Sequence, residues 1–290
     1  MTEVSAPPTQ GAARRPVLPK VLTSPVAVIG GAVVVFWCAV ALFAPLIAPY
    51  DPVEQFTSFV RPGASGPDGL WHMLGTDHLG RDILSRIIFG ARRVLFFAVT
   101  ATFSAYAVGV TMGLAAGYLR GWVDDVVSTI ANIVLSFPVL VLYVVIISVF
   151  GASGGNIILA VTFASAPGIM RIVRGIVLDL RNRDYVASAE TRGETAPYIM
   201  FVEILPNATS LLIVDACLRL GYVTITIGVL GFLGLGLPPP QPDWGGMVNE
   251  ARSMATFAPY MTLSPCAAIS SLVLGLNLLA DGLRETELKD

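Results

Sequence analysis

The sequence predicts an all-α membrane protein with six transmembrane helices. Hydrophobic residues make up 54% of the chain and charged residues only 13%, which is too few to cover a water-facing surface. Several uncharged stretches reach the roughly 20 residues that a helix needs to cross the hydrocarbon core of a bilayer. The few basic residues cluster at the ends of these stretches, where membrane topology places them.

Six stretches form the predicted spans of a single transmembrane domain, residues 20–290. They are residues 26–47, 94–119, 126–150, 151–170, 208–237 and 257–280. Pro138 and Pro167 lie inside spans, where a proline frees a backbone carbonyl and bends the helix. Residues 1–19 combine prolines and polar residues without apolar periodicity, so we predict a disordered cytoplasmic tail.

The distribution of basic residues predicts the orientation in the membrane. Arg14, Arg15 and Lys20 precede the first span, whereas Arg61 alone follows it closely. Since positive charge accumulates on the cytoplasmic side, the N-terminus is predicted to be cytoplasmic. An even number of spans then places the C-terminus on the same side, in a multi-pass protein of the prokaryotic plasma membrane.

Three connections are long enough to carry function: residues 48–93 outside, 171–207 in the cytoplasm and 238–252 outside. Near the end of the first, apolar and polar residues alternate at helical spacing, which predicts an amphipathic helix lying on the membrane surface. The apolar side contains Leu79, Ile83, Leu84, Ile87 and Ile88, and the polar side contains Arg81, Asp82, Ser85 and Arg86.

The fifth span contains the charged residues Asp215 and Arg219. Four residues apart, they lie on one helix face, and ionised groups at this depth should face the bundle interior and neutralise each other. Two interpretations remain open: the residues flank a solute path, or they form a structural pair.

Several chemistries find no support in the sequence. Neither of the two lysines, Lys20 and Lys289, is followed by Ser or Thr, so the chain cannot supply a phosphate-binding Walker loop. Its histidines and cysteines form no metal-ligand spacing. A net charge of -2 gives no indication of nucleic-acid binding. We therefore predict neither an enzyme nor a metal or cofactor site.

The cytoplasmic connection resembles the EAA loop of importer-type ABC permeases. The similarity rests on residues 184–193 with small residues at Ala189 and Gly193, followed at the family's spacing by Leu205 and Pro206. Further matches to the dipeptide/oligopeptide branch are residues 75–92, residues 230–245 with Pro238, Pro239, Pro240, Pro242 and Trp244, and residues 277–284. Two positions depart from the family pattern: Ala187 and Ile227 stand where acidic residues are common.

This resemblance implies a type I ABC importer permease fold, and the translocation of dipeptides, oligopeptides or similar small solutes. The implied partners are a second related permease subunit, two ATP-binding subunits that hold ATP and Mg, and an extracytoplasmic solute-binding protein. The implied ATPase-coupling residues are Ala189, Gly193, Glu194, Leu205 and Pro206. Pro239 and Trp244 are predicted to shape the outer mouth or to dock the binding protein.

Two other functions remain possible on the sequence alone. One is an ion-coupled secondary transporter that uses Asp215, and the other is a membrane receptor or scaffold without transport. The secondary transporter would take up solute by itself, whereas the permease would need an ATPase.

Overall fold

A computed structural model describes residues 24–288 as a helical protein with one small hairpin. The helices are α1 (Pro25–Leu42), α2 (Ala44–Ile47), α3 (Ile83–Leu119), α4 (Gly121–Leu135), α5 (Val139–Phe150), α6 (Gly154–Leu180), α7 (Asp184–Thr191), α8 (Ala196–Tyr198), α9 (Leu205–Phe232), α10 (Trp244–Ala251) and α11 (Tyr260–Leu288). Antiparallel strands β1 (Ala64–Ser65) and β2 (Trp71–His72) form the hairpin. A π-helical turn, Ile199–Ile204, joins α8 to α9, and a 3-10 turn, Arg252–Met254, follows α10.

Within this part of the chain, five helical segments are long and apolar enough to cross a membrane. They are Pro25–Leu42, Ile83–Leu119, Gly154–Leu180, Ala196–Phe232 and Tyr260–Glu285. A sixth candidate is the pair α4 and α5, which meet at an angle of 89°. Pro138 is the N-cap residue of α5, so the bend falls at the proline that the sequence identified.

Helices α3 and α6 run parallel, and their contact shows that α4 and α5 together cross the membrane once. Gly109, Gly113 and Gly117 face Ile169, Val173 and Val177 in the same order. A Cβ on Gly113 would lie 2.5 Å from the Cβ of Val173, so the backbones approach at a distance that only glycine permits. Because α3 and α6 run in the same direction, α6 must begin at the same end of the bundle as α3. The chain between them, α4 and α5, therefore returns from the end of α3 to that end. The predicted six spans are therefore confirmed, and the third is broken.

Helices α1 and α11 pack antiparallel against each other. A Cβ on Gly30 would lie 2.4 Å from the backbone nitrogen of Leu279, and one on Gly282 would lie 2.4 Å from the Cβ of Ala27. At the end where α1 begins, the Ser24 hydroxyl lies 3.4 Å from a carboxylate oxygen of Glu285. The start of α1 and the last turns of α11 are thus at one end of the bundle.

The structure corrects two details of the predicted organisation. The segment around Ile83 is not a surface helix but the first turns of α3, and it is buried on its polar side as well as its apolar side, with Arg86 only 2% exposed. The reason is tertiary, because Glu250, distant in sequence, pairs with Arg81 and Arg86. The predicted cytoplasmic connection 171–207 is also mostly helical, since α6 continues to Leu180. The predicted tail, residues 1–19, lies outside the described residues.

Candidate functional site

The elbow, which the sequence predicts to couple to an ATPase, is formed by α7, the turn after it and the start of the helix that leads into α9. Helix α7 ends in a Schellman motif: the Gly193 N–H donates to the Glu190 carbonyl at 3.0 Å, and the Glu194 N–H donates to the Ala189 carbonyl at 3.2 Å. Gly193 has a φ of +76°, which explains the need for glycine at this position. Apart from its chain neighbours, no atom of residues 24–288 lies within 4 Å of a Cβ placed on it, so Gly193 makes a turn rather than a close contact there.

The two faces of α7 have different environments. Val186 and Ala189 are fully buried in a cluster with Ile199 and Ile204. Ala189, an implied coupling residue, therefore does not contribute to the exposed surface of α7; its small side chain lets the helix pack closely on its own chain. The opposite face is exposed and borders an open depression of about 470 Å³. It is lined by Asp184, Ala187, Ser188, Thr191 and Arg192.

Polar contacts brace the elbow against the rest of the bundle. The Arg192 guanidinium lies 2.9 Å from the Glu203 carboxylate in the π-helical turn and 3.7 Å from that of Glu194. The Tyr118 hydroxyl, near the end of α3, donates to Glu190 at 3.0 Å. The elbow therefore lies at the end of the bundle where α3 finishes and α9 starts.

Leu205 and Pro206 form the first turn of α9. Leu205 packs against the buried cluster that contains Ala189, whereas Pro206 is exposed. A proline is favourable in a first turn, where its missing N–H costs no helical bond. The helical segment runs from Ala196 through the π-helical turn to Phe232, so the elbow leads directly into a membrane span.

The predicted contact between Asp215 and Arg219 is present on α9. The Arg219 Nε lies 2.6 Å from Asp215 Oδ2, and the Tyr106 hydroxyl on α3 donates to the same oxygen. The two charged side chains are 21% and 22% exposed. The contact of Tyr106 could not be predicted from the sequence, because 109 residues separate it from Asp215. Its hydroxyl group, which lies inside an uncharged predicted span, is the feature of the sequence that could have indicated a polar partner.

Trp244 is buried inside the bundle, so its side chain is not available to dock a binding protein directly. It is 0% exposed, its Nε1 donates to the Ile87 carbonyl at 2.9 Å, and its ring meets Trp37 edge to face at 4.9 Å between centroids. The reason is that α10 folds back into the bundle, against α3 and α1. Pro239, in contrast, is exposed in the loop before α10.

Asp243 caps the N-terminus of α10, where its Oδ2 accepts a hydrogen bond from the Gly246 N–H at 3.1 Å. Burial raises the pKa of this carboxyl to about 6, although the backbone N–H groups of Gly246 and Gly245 oppose the shift. The carboxylate also lies close to Gly231 and Gly236, where a Cβ would come within 2.3 and 2.7 Å of Oδ2. The glycines of residues 230–236 therefore make room for Asp243.

A buried charge network connects α10 to the start of α3. Arg81 lies 2.6 Å from both Asp77 and Glu250, and Arg86 lies 3.2 Å from Glu250. Glu250 was not identified from the sequence, although its negative charge complements the two arginines before and at the start of α3. This network pairs the charges of Arg81 and Arg86, although Arg86 Nη1 has no hydrogen-bond partner among the described residues. Among residues 24–288, no group of three His, Cys, Asp or Glu side chains is placed to hold a metal ion.

These features define a class of protein: a polytopic membrane permease subunit with a helical elbow at one end and a polar pair inside the bundle. The chain belongs to the family described as binding-protein-dependent transport system inner membrane components, whose model matches residues 109–285. A second model, the N-terminal transmembrane domain of oligopeptide transport permease C, matches residues 20–62.

Individual relatives agree with this assignment. The chain is 39% identical to a glutathione transport system permease protein of Pectobacterium atrosepticum, over 90% of this chain and 85% of the relative. It is 38% identical to a dipeptide transport system permease protein of Haemophilus influenzae, over 89% of this chain and 88% of the relative. Its fold is similar to a chain of the inward-facing MetNI methionine ABC transporter, with a TM-score of 0.59, 19% identity, and coverage of 72% of this chain and 98% of that one.

The chain is accordingly the membrane permease subunit of an ABC importer, a multi-pass protein of the bacterial inner membrane. ATP hydrolysis takes place in separate ATPase subunits, and the family implies a partner permease as well. These relatives do not support the alternatives of an ion-coupled transporter or a non-transporting receptor.

Proposed function

We propose that this permease imports short peptides or closely related solutes, delivered by an extracytoplasmic binding protein. The observation that carries the proposal is the similarity, over about nine tenths of the chain, to permeases named for dipeptide and glutathione transport. Both of those solutes are small, and both carry a free amino group and a free carboxylate. Exposed Pro239, next to the buried α10, is proposed to form part of the outer mouth that meets the binding protein.

The elbow is proposed to lie in the cytoplasm and to dock on an ATPase subunit through the exposed face of α7. In support, the start of α1 and the end of α11 lie together, and Arg14, Arg15 and Lys20 precede α1. Helix α3 begins beside Trp244 and ends beside the elbow, so α10 and the elbow lie at opposite ends. Gly193, Glu194, Leu205 and Pro206 then shape the elbow rather than form its contact surface.

Motion at the elbow would reach the solute path through α9. At a rise of about 1.5 Å per residue, Asp215 and Arg219 lie roughly 13 and 20 Å along the helix from Pro206. Because the helix is unbroken from Ala196 onward, a displacement of α7 tilts the segment that carries the charged pair. This is an alternating-access scheme driven by ATP in the partner subunits, two ATP-binding domains with their Mg.

The proposal is tested by reconstituting this chain with its ATPase, its sister permease and its binding protein in proteoliposomes. Uptake of radiolabelled dialanine or glutathione should require both ATP and the binding protein. Uptake by this chain alone, driven by a proton or sodium gradient, would contradict the proposal.

Orientation is tested separately by cysteine labelling in a variant that lacks Cys38, Cys217 and Cys266. A cysteine at Ser65 should react with an impermeant reagent from outside the cell, and one at Ser188 should react only after the membrane is opened. The reverse pattern would invert the proposed topology.

A further inference from the structure

The charged pair on α9 is part of a longer polar stripe along one face of the helix. Asp215, Arg219, Tyr222 and Thr226 recur at spacings of four, three and four residues, so they share one face. Tyr222 is 66% exposed, and the charged residues are about one fifth exposed. Polar groups facing lipid at this depth are costly, whereas polar groups facing a water-filled cavity are not. The stripe is therefore best accommodated at the solute path.

Within this stripe, the pair has unused hydrogen-bonding capacity. Both hydrogen bonds to Asp215, from Arg219 and from Tyr106, reach Oδ2, and none from the described residues reaches Oδ1. A carboxylate offers about four acceptor positions, so the second oxygen can receive another cationic donor. A purely structural pair would be expected to use both oxygens.

Arg219 is held in place by Asp215, through its Nε, and it also interacts with the Tyr106 hydroxyl. Its Nε faces Asp215, and its terminal nitrogens lie 3.4 and 3.7 Å from the position that a Cβ on Gly168 would take. Gly168 has no side chain to cover these nitrogens. A guanidinium fixed through Nε presents its terminal nitrogens to a carboxylate, which it binds with two parallel hydrogen bonds.

We propose that Asp215 and Arg219 recognise the free termini of a short peptide during passage through this subunit. The ammonium group of the peptide binds Asp215 Oδ1, and the carboxylate binds the terminal nitrogens of Arg219. The pair remains neutral without solute, and a zwitterion adds no net charge when it binds. This inference rests on the proposed function and specifies its solute: a peptide with both termini unblocked.

The test compares the uptake of dialanine, N-acetyl-dialanine and dialanine amide by the complete importer. Each variant is assayed with the same binding protein, and its uptake ratios are compared with those of the unmodified importer. Any preference of the binding protein among the three peptides then affects both sets of ratios equally and cancels. Arg219→Gln should lower the ratio of dialanine to dialanine amide about tenfold, equivalent to about 1.4 kcal/mol. Asp215→Asn should lower the ratio of dialanine to the acetylated peptide by a similar factor.

Two further variants separate recognition from structure. The double variant Asp215→Asn/Arg219→Gln has no unpaired charge and should lower both ratios. The matched control Asp124→Asn/Arg174→Gln removes another ion pair with a 2.6 Å contact, between α4 and α6, and should leave both ratios unchanged. Unchanged ratios in the Asp215/Arg219 double variant, or an equal loss for all three peptides, would overturn the inference.

A second readout does not depend on the blocked peptides. A cysteine replacing Tyr222, in the variant without native cysteines, reports on access to the stripe. Dialanine should slow its modification by a methanethiosulfonate reagent in the otherwise unmodified complex but not in the Asp215/Arg219 double variant. If the complex takes up no dialanine or glutathione at all, the proposed function fails; if uptake is normal but protection persists in the double variant, only this inference fails.

Discussion

The indole Nε1 of Trp244 donates a hydrogen bond to the carbonyl of Ile87, 157 residues earlier in the chain. The same ring fills the space above Gly90, where a Cβ would come within 2.7 Å of it. One aromatic side chain thereby connects α10 to the first turns of α3 and, through Trp37, to α1. At this end of the bundle, Trp244 packs three helices together.

Replacing Trp244 should therefore destabilise the protein rather than only weaken contact with the binding protein. Trp244→Ala leaves a large cavity, and such changes typically cost about 3–5 kcal/mol. The melting temperature in detergent, measured as the loss of the monodisperse peak in size-exclusion chromatography after heating, should be much lower than that of the unmodified protein. Trp122→Ala is the matched control, because Trp122 is 76% exposed. Equal melting temperatures for the two variants would contradict this role.

The contact between α3 and α6 should be sensitive to single methyl groups. Gly113→Ala places a Cβ 2.5 Å from that of Val173, and overpacking of this kind typically costs about 1–3 kcal/mol. We expect a lower melting temperature in detergent. Gly175→Ala on α6 meets no atom within 4 Å and should be neutral or slightly stabilising, since alanine favours a helix. A neutral Gly113→Ala would show that the helices pack less closely than described.

Asp243 should make stability depend on pH between about 4 and 6. Because burial raises its folded-state pKa to about 6, above the ordinary value of 3.8, the folded protein retains a proton that the unfolded chain releases. The stabilising contribution is complete below pH 4 and falls by up to about 1.4 kcal/mol per unit as the pH rises to 6. The charges facing the group act in opposite directions: Glu250 raises its pKa and Arg86 lowers it.

The Asp243→Asn variant isolates this effect, since asparagine also caps a helix but does not titrate. Melting temperatures of both proteins are compared at pH 4.5 and pH 6.5. The unmodified protein should lose more stability than the variant on going to the higher pH. Parallel changes in the two proteins would assign the pH dependence to other groups.

The exposed face of α7 should control association with the ATPase. Ser188→Trp adds bulk beside the depression without entering the buried cluster, so the protein should fold while ATPase co-purification falls by up to about a hundredfold, or about 3 kcal/mol. Ser188→Ala, which adds no volume, is the control and should retain ATPase co-purification. Ala189→Trp, on the buried face, should instead reduce folded protein. Retained co-purification and ATP-dependent uptake in Ser188→Trp would place the ATPase contact elsewhere.

Gly193→Trp is a less selective test of the same joint. A side chain at a φ of +76° strains the backbone by about 1–2 kcal/mol, so the elbow itself is disturbed. Gly193→Asn, which tolerates this conformation, should preserve coupling, whereas Gly193→Trp should reduce it. An equal effect of the two substitutions would show that loss of glycine, rather than bulk or strain, is responsible.

The number and approximate position of the spans followed from the sequence because each span is a local property. A run of about 20 uncharged residues meets the bilayer requirement wherever it packs. The same locality explains why Pro138 marked the break between α4 and α5, and why Asp215 and Arg219, four residues apart, were correctly placed in contact.

Tertiary structure alone decided which side of each element is covered. Ala189 faces its own chain because the turn after α7 folds the helix onto residues 199–204, and Trp244 is buried because α10 re-enters the bundle. Arg81 and Arg86 are buried because Glu250 meets them from a segment more than 160 residues away. Burial of these groups depends on partners distant in sequence, and no local pattern of hydrophobicity or charge records such partners.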